Sequence, residues 1–252
     1  MFELIILLLL IFILSSIQSI IGVGVLVLGT PILLILKYDM ISILSILLPI
    51  SIFTSLINII LMKKNMKNIE KILNKKTKNF FYFFCIPSIL IGLILLKIFQ
   101  NIINFEILIS SLILISILIK HYYQNRKVHI TDYIKKLIFS FIGLIHGLTN
   151  SGGTLLSLFV SFSEKNFRIN SRFIITYFYF ILASAQFALF LFIFWEKIIF
   201  DNTYYILLFT LIGCVTGNYI IRYINENNLK SLVEIAAIIS SVFLFFNGIN
   251  QF

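Results

Sequence analysis

The stretch QSIIGVGVLVLGTPILL, residues 18–34, decides how this chain is read. It lies within an uncharged apolar block, Leu4–Leu36. That block is too long for one membrane crossing of about 20 residues and too short for two. Gly22-Val23-Gly24 interrupts it, and Gly29-Thr30-Pro31 interrupts it again. Glycine weakens a helix interior, while proline removes a backbone donor and clashes with the preceding turn. The block therefore reads as one full helix over Leu4–Ile21, a break, and a shorter returning segment near Leu26–Leu36.

Working outward, seven more apolar blocks follow: Met40–Met62, Asn79–Leu96, Ile107–Ile119, Leu137–Ser163, Phe173–Trp195, Asn202–Ile221 and Ile235–Phe252. The chain has 252 residues, 60% hydrophobic and 12% charged, about half the charged share of a soluble domain. All 20 Lys/Arg and all 10 Asp/Glu fall outside the blocks. A lone charge at bilayer depth costs several kcal/mol, so this exclusion is the mark of a lipid solvent. The expected fold is an all-α polytopic membrane protein of about eight transmembrane helices, placed in the cell's plasma membrane. The net charge of +10 sits in loops flanking the spans, where it meets lipid headgroups rather than nucleic acid. Glu3 is the only charge before Lys37, so the start lacks the basic flank of a cleaved secretory signal. Cys85 and Cys214 lie inside apolar blocks and read as free buried thiols.

Basic loops mark the cytoplasmic side. Lys63, Lys64, Lys67, Lys71, Lys75, Lys76 and Lys78 crowd one; Lys120, Arg126, Lys127, Lys135 and Lys136 crowd another. The connection between Lys97 and Glu106 is short and nearly neutral, as an outer loop should be. The scheme then repeats, giving a first four-span half over 1–125 and a second over 126–252. Leu137–Thr149 is followed by Asn150-Ser151-Gly152-Gly153-Thr154 and a short apolar run to Ser163. Laid over one another, the halves align Gly24 with Gly153, Pro31 with Val160, and Gly92 with Gly217. If each broken block is a hairpin, the halves are inverted and both termini lie outside. Lys165, Arg168, Arg172, Arg222 and Lys230 then fall inside, and the 196–201 loop outside.

Gln18-x3-Gly22-Val-Gly24-x6-Pro31-x-Leu33-Leu34, echoed by Gly147-Leu-Thr-Asn-Ser-Gly-Gly153-Thr-Leu-Leu, resembles the TauE/SafE family of sulfite exporters. The resemblance covers essentially the whole chain through length, span layout and the paired Gly-rich turns. It implies a transporter of sulfite, sulfonates or related small anions, with eight spans in two four-span halves. Val160 departs from the expected second-half proline, which leaves the second break resting on Gly152-Gly153.

Backbone that leaves helical geometry inside a bilayer must line a cavity or be buried in protein. Matching breaks in two halves therefore point to a transport site. Free N–H groups at a helix start carry about half a positive charge, and glycine admits a ligand close to them. No Lys or Arg lies within the blocks, so dipoles and hydroxyls would hold a small anion. The candidate substrate-binding residues are Gln18, Gly22, Gly24, Thr54, Asn58, Asn150, Ser151, Gly152, Gly153 and Thr154. Close helix packing is the competing role for the glycines.

Ser51, Thr54, Ser55 and Asn58 share one helical face, and Tyr177, Ser184 and Gln186 are the polar positions of the matching block. His146, the only histidine inside a block (His121 and His129 belong to a basic loop), could relay a proton or simply pack. Glu106 and Glu234 could couple protons or serve as dipole partners at helix starts. Aromatics at block ends, such as Trp195, Tyr204 and Tyr205, form an interfacial belt.

A secondary transporter by alternating access is the leading expectation. The partners expected are a small anion, a coupling ion such as a proton, the lipid bilayer and a second copy in a homodimer. An assembly factor without transport, or a passive channel, is the alternative. With one histidine and no carboxylate in the blocks, neither an enzyme nor a metal site is expected, and no cofactor.

Overall fold

The computed structural model describes residues 2–65, 75–123, 130–163, 170–195, 203–223 and 226–250. Lys67, Lys71, Arg126, Lys127, His129, Lys165, Arg168 and the 196–201 loop lie outside them. Among the described residues every regular element is helical. In chain order these are α1 (Phe2–Ile21), α2 (Val25–Ile35), α3 (Met40–Asn65), α4 (Lys75–Phe99) and α5 (Phe105–Tyr123). The second half follows with α6 (Asp132–Thr149), α7 (Gly152–Ser163), α8 (Asn170–Ile193), α9 (Thr203–Ile220) and α10 (Glu226–Ile249). A π-helical turn, Phe81–Cys85, interrupts α4.

Six helices, α1, α3, α4, α5, α8 and α9, are long and apolar enough to cross a membrane. The two other expected spans become α6 with α7, and α10. Asp132, Lys135 and Lys136 open α6, and in α10 the apolar run Ala237–Ile249 follows charges that reach as far as Glu234.

The outside of this molecule is oily. Phe192 is 87% exposed, Ile102 76%, Phe83 74% and Leu118 68%, a surface suited to hydrocarbon or another apolar surface rather than water. The inside holds the polar side chains instead: Gln18, Thr30, Ser51, Thr54, Ser55, Asn58, His146, Asn150 and Gln186 are fully buried. Oily outside and polar within is the distribution a bilayer imposes.

The principal packings pair α1 with α9, α4 with α6, α3 with α8 and α5 with α10. Numbered this way, exchanging each first-half helix with the one five places later turns α1–α9 into α6–α4. It leaves α3–α8 and α5–α10 in place. Glycines set the close approaches. A Cβ on Gly92 or Gly147 would run into backbone of the facing helix of the α4–α6 pair, and one on Gly213 or Gly217 into α1 carbonyls. Without side chains at these points, the backbones come together.

Ion pairs tie the helix ends. Lys37 meets Glu106 at 3.4 Å, Lys120 meets Glu234 at 2.7 Å, and Lys76 meets Asp132 at 2.5 Å. The hydrogen bond from Lys76 holds the Asp132 carboxyl below the usual carboxylate range. The Lys97 ammonium reaches the Ile193 carbonyl at 3.4 Å, and the Asn104 amide donates to the Gly248 carbonyl at 3.0 Å.

Two expectations about the breaks need correction. Gly29-Thr30-Pro31 does not interrupt the chain: Pro31 sits inside α2, whose helix continues through it. A short helix buried on nearly every residue is held by its neighbours, which outweighs the loss of one N–H. The second break does not rest on Gly152-Gly153 either. Those glycines are the first residues of α7, and Asn150 makes the turn in left-handed geometry with φ 63°. Asparagine is among the few non-glycine residues that tolerate this conformation. With helix starts superposed, Gly24 pairs with Ser151 rather than with Gly153.

Candidate functional site

At the first break, Gly22 has φ +97° and turns the chain at the end of α1. A Cβ there would meet the Thr176 hydroxyl at 2.9 Å and the Arg172 carbonyl at 3.2 Å. Gly24 is extended and precedes α2. The start of α2 therefore presents backbone N–H groups with no intrahelical acceptor. Side chains cover them. The Val25 N–H donates to Gln18 Oε1 at 3.1 Å, and the Leu26 N–H donates to the Tyr179 hydroxyl at 3.2 Å. Gln18 is held in turn by α3, its Nε2 donating to the Ser51 carbonyl at 3.1 Å and to the Ser55 hydroxyl at 2.9 Å. Because a carbonyl only accepts, the Gln18 amide has one orientation, with its oxygen on α2.

At the second break the Asn150 N–H donates to the His146 carbonyl at 2.9 Å, closing α6. The Asn150 side chain crosses to α2, where its Nδ2 lies 3.2 Å from the Thr30 hydroxyl. Ser151 and Thr154 point inward to local backbone. Their hydroxyls donate to the Thr149 carbonyl at 3.2 Å and the Ser151 carbonyl at 2.7 Å, which fixes the start of α7. The glycines make room. A Cβ on Gly152 would meet His146 Cβ at 2.5 Å, and one on Gly153 would meet the Tyr179 ring at 2.5 Å and Val27 at 3.2 Å.

The two breaks thus meet inside the protein. Tyr179 joins them: its ring lies on Gly153 while its hydroxyl caps α2. Gln18, Gly24, Asn150, Gly152 and Gly153 are gathered around this crossing, with Thr30 between. At 1.5 Å per residue, α2 and α7 are about 16–18 Å long, roughly half the hydrocarbon thickness.

Thr54 and Asn58 are placed differently. The Thr54 hydroxyl donates back to the Ile50 carbonyl at 2.8 Å. Asn58 belongs to a second network, donating to the Ser19 hydroxyl at 3.2 Å and accepting from Asn218 at 2.6 Å. Arg172 completes it, donating to Asn218 Oδ1 at 3.0 Å and to the Ser19 carbonyl in the last turn of α1. A guanidinium therefore stands beside the first break, although the sequence places it at a span's edge. Tyr177 faces away from the crossing and shares a hydrogen bond of 3.0 Å with the Tyr82 hydroxyl. Glu106 and Glu234 are both engaged by lysines; Glu106 lies in the first turn of α5, whereas Glu234 lies two turns inside α10 and not at a helix start as expected. Among the described residues no group of His, Cys, Asp and Glu could hold a metal.

Tyr179, Thr30, Arg172 and Asn218 are not among the site residues expected from the sequence, although Thr30 belongs to an expected break and Arg172 to the expected inner-loop charges. Asn218 carried a signal, being an amide inside an apolar block. Tyr179 carried none, because it is one aromatic in a run of them.

The profile of the family described as Sulfite exporter TauE/SafE matches residues 7–244. Neither the curated proteins nor the solved structures contain a match to this chain.

Proposed function

The chain belongs to the sulfite exporter TauE/SafE family, and from that premise we propose that it is a secondary transporter of sulfite, a sulfonate or a related sulfur-containing anion. It works by alternating access around the crossing of the two breaks. One observation carries this reading. Successive N–H groups at the start of α2 each hold a neutral oxygen, Gln18 Oε1 at 3.1 Å and the Tyr179 hydroxyl at 3.2 Å. Those oxygens occupy the positions that two oxygens of a small oxyanion would take at a helix N-terminus. An arriving anion exchanges them, so neither state leaves the amides bare, and its release is not opposed by a full positive charge.

The pairings of helix ends support the inverted arrangement. Lys37 with Glu106, Lys97 with Ile193, and Asn104 with Gly248 each join residues on the expected outer side. Lys76 with Asp132, Lys120 with Glu234, and Arg172 with Asn218 each join residues on the inner side. The exchange symmetry of the packings supports the halves 1–125 and 126–252. A multi-pass location in the plasma membrane is part of this reading, with the basic inner loops setting the orientation there.

Transport is tested by purified protein in liposomes, with sulfite, methanesulfonate and sulfate followed under an imposed proton gradient or potential. Saturable flux of at least one anion is expected. Flux that never saturates would indicate a channel, and no flux of any small anion would end the transporter reading.

A further inference from the structure

His146 and Gln18 occupy matching places, each in the last turn of the helix that runs into a break. Their bonding differs. Gln18 spends its oxygen on α2 and its nitrogen on α3. His146 is fully buried, and both of its ring nitrogens, Nδ1 and Nε2, lack a hydrogen-bond partner. Two further buried acceptors nearby are also unpartnered, Asn150 Oδ1 and Gln186 Oε1. Both residues are anchored to His146 itself, since the Asn150 N–H and Gln186 Nε2 each donate to its carbonyl at 2.9 Å. That bond fixes the Gln186 amide, leaving its oxygen free to accept.

Buried polar atoms without partners are rare, and each asks for an explanation. Neutral imidazole offers one donor and one acceptor; imidazolium offers two donors. Two unpartnered ring nitrogens, with two vacant amide oxygens on residues that bond the His146 carbonyl, suit the charged form. A buried cation is costly alone, but an anion at the neighbouring start of α2 offsets it. Tyr179 spans that gap, its ring 6.4 Å from the imidazole and its hydroxyl on the Leu26 N–H.

We infer that His146 binds the proton that accompanies the anion, so that this protein moves the two together. The inference rests on the anion-transport reading above. The other titratable groups on helices packed against α6 are committed elsewhere or lie at helix ends. On α8 these are Tyr179, Tyr177, bound to Tyr82, and Arg172, bound to Asn218. On α4 Lys75, Lys76 and Lys78 lie in the first turns, Lys97 reaches Ile193, and Cys85 is buried beside Gly143. On α5 Glu106 pairs with Lys37, Lys120 pairs with Glu234, and His121, Tyr122 and Tyr123 lie in the last turn. Among the described residues α7 has no titratable side chain.

The test uses the full chain in liposomes with a trapped pH indicator, the membrane potential clamped, and a gradient of methanesulfonate or sulfite. Methanesulfonate does not titrate near neutrality, and sulfite's own proton is removed by comparison with His146→Gln. The expected result is that inward methanesulfonate acidifies the lumen, with uptake rising as external pH falls from 8 to 6. His146→Gln should keep a reduced flux that is flat with pH and moves no protons. Gln186→Leu, which removes one acceptor for the charged ring, should shift half-maximal uptake down by about one pH unit or more. Saturable flux from the unaltered protein without lumen acidification overturns the inference and leaves the transporter standing. Equal proton movement in His146→Gln overturns it too, and no saturable flux at all removes both readings.

Discussion

In the proposed exchange Tyr179 competes with the anion, which gives a test with a sign. Its hydroxyl accepts from the Leu26 N–H at 3.2 Å, a bond that must break before an anion oxygen can take the place. Such a bond contributes about 0.5–1.5 kcal/mol net, and 1.4 kcal/mol is a factor of about ten in affinity. Tyr179→Phe should therefore lower the half-saturating anion concentration by up to about tenfold. An unchanged value would reduce the hydroxyl to a helix cap, and a raised one would make it a substrate donor. Gly153→Leu is the converse case. Its side chain would occupy the space of the Tyr179 ring, 2.5 Å from the first added carbon, so flux should vanish while membrane insertion, judged by fractionation, persists. The sequence pointed to Gly153 because glycine marks space, and to Gln18 because an amide in an apolar block must find a partner. It could not point to Tyr179. Phe, Tyr and Ile surround that position in Phe173–Phe180, and only the fold tells which of them turns towards the crossing.

Helices were more legible than the side chains between them. The break at 22–24 and the returning segment follow from composition alone, because lipid admits no unsatisfied backbone. Pro31 was misleading for a physical reason: a proline breaks a helix when nothing else holds it, and α2 is buried along nearly its whole length. The glycines of α4, α6 and α9 look identical in sequence to those at the breaks, yet their contacts are with facing backbone. Two classes of substitution should therefore separate. Gly92→Ala, Gly147→Ala and Gly217→Ala force helix backbones apart, an overpacking that costs about 1–3 kcal/mol. Each should lower the thermal unfolding midpoint in detergent, and Gly153→Ala should lower flux more than it lowers that midpoint. If Gly147→Ala and Gly153→Ala changed midpoint and flux in the same ratio, the division between packing and site glycines would not hold.

For the molecule as a whole, charge and contact give the same answer by separate routes. Basic loops sort the chain into inner and outer ends from sequence, while ion pairs and amide contacts join ends that lie together in space. No cross-link named above joins an expected inner end to an expected outer one. Random placement of helices would not preserve that sorting, and treating each broken block as a single crossing destroys it. In that arrangement Lys97 and Asn104 would stay outside while Ile193 and Gly248, which they meet, would fall inside. Single cysteines decide the matter in a background lacking Cys85 and Cys214. Placed at Lys37, Lys97 and Trp195, they should react with an impermeant maleimide added to intact cells. Placed at Lys76, Lys120 and Arg222, they should react only after the membrane is opened. Labelling of Lys37 and Arg222 positions from the same side would mean that the block over α6 and α7 crosses the membrane once. The inverted halves, and with them the meeting of two short helices from opposite directions, would then have to be abandoned.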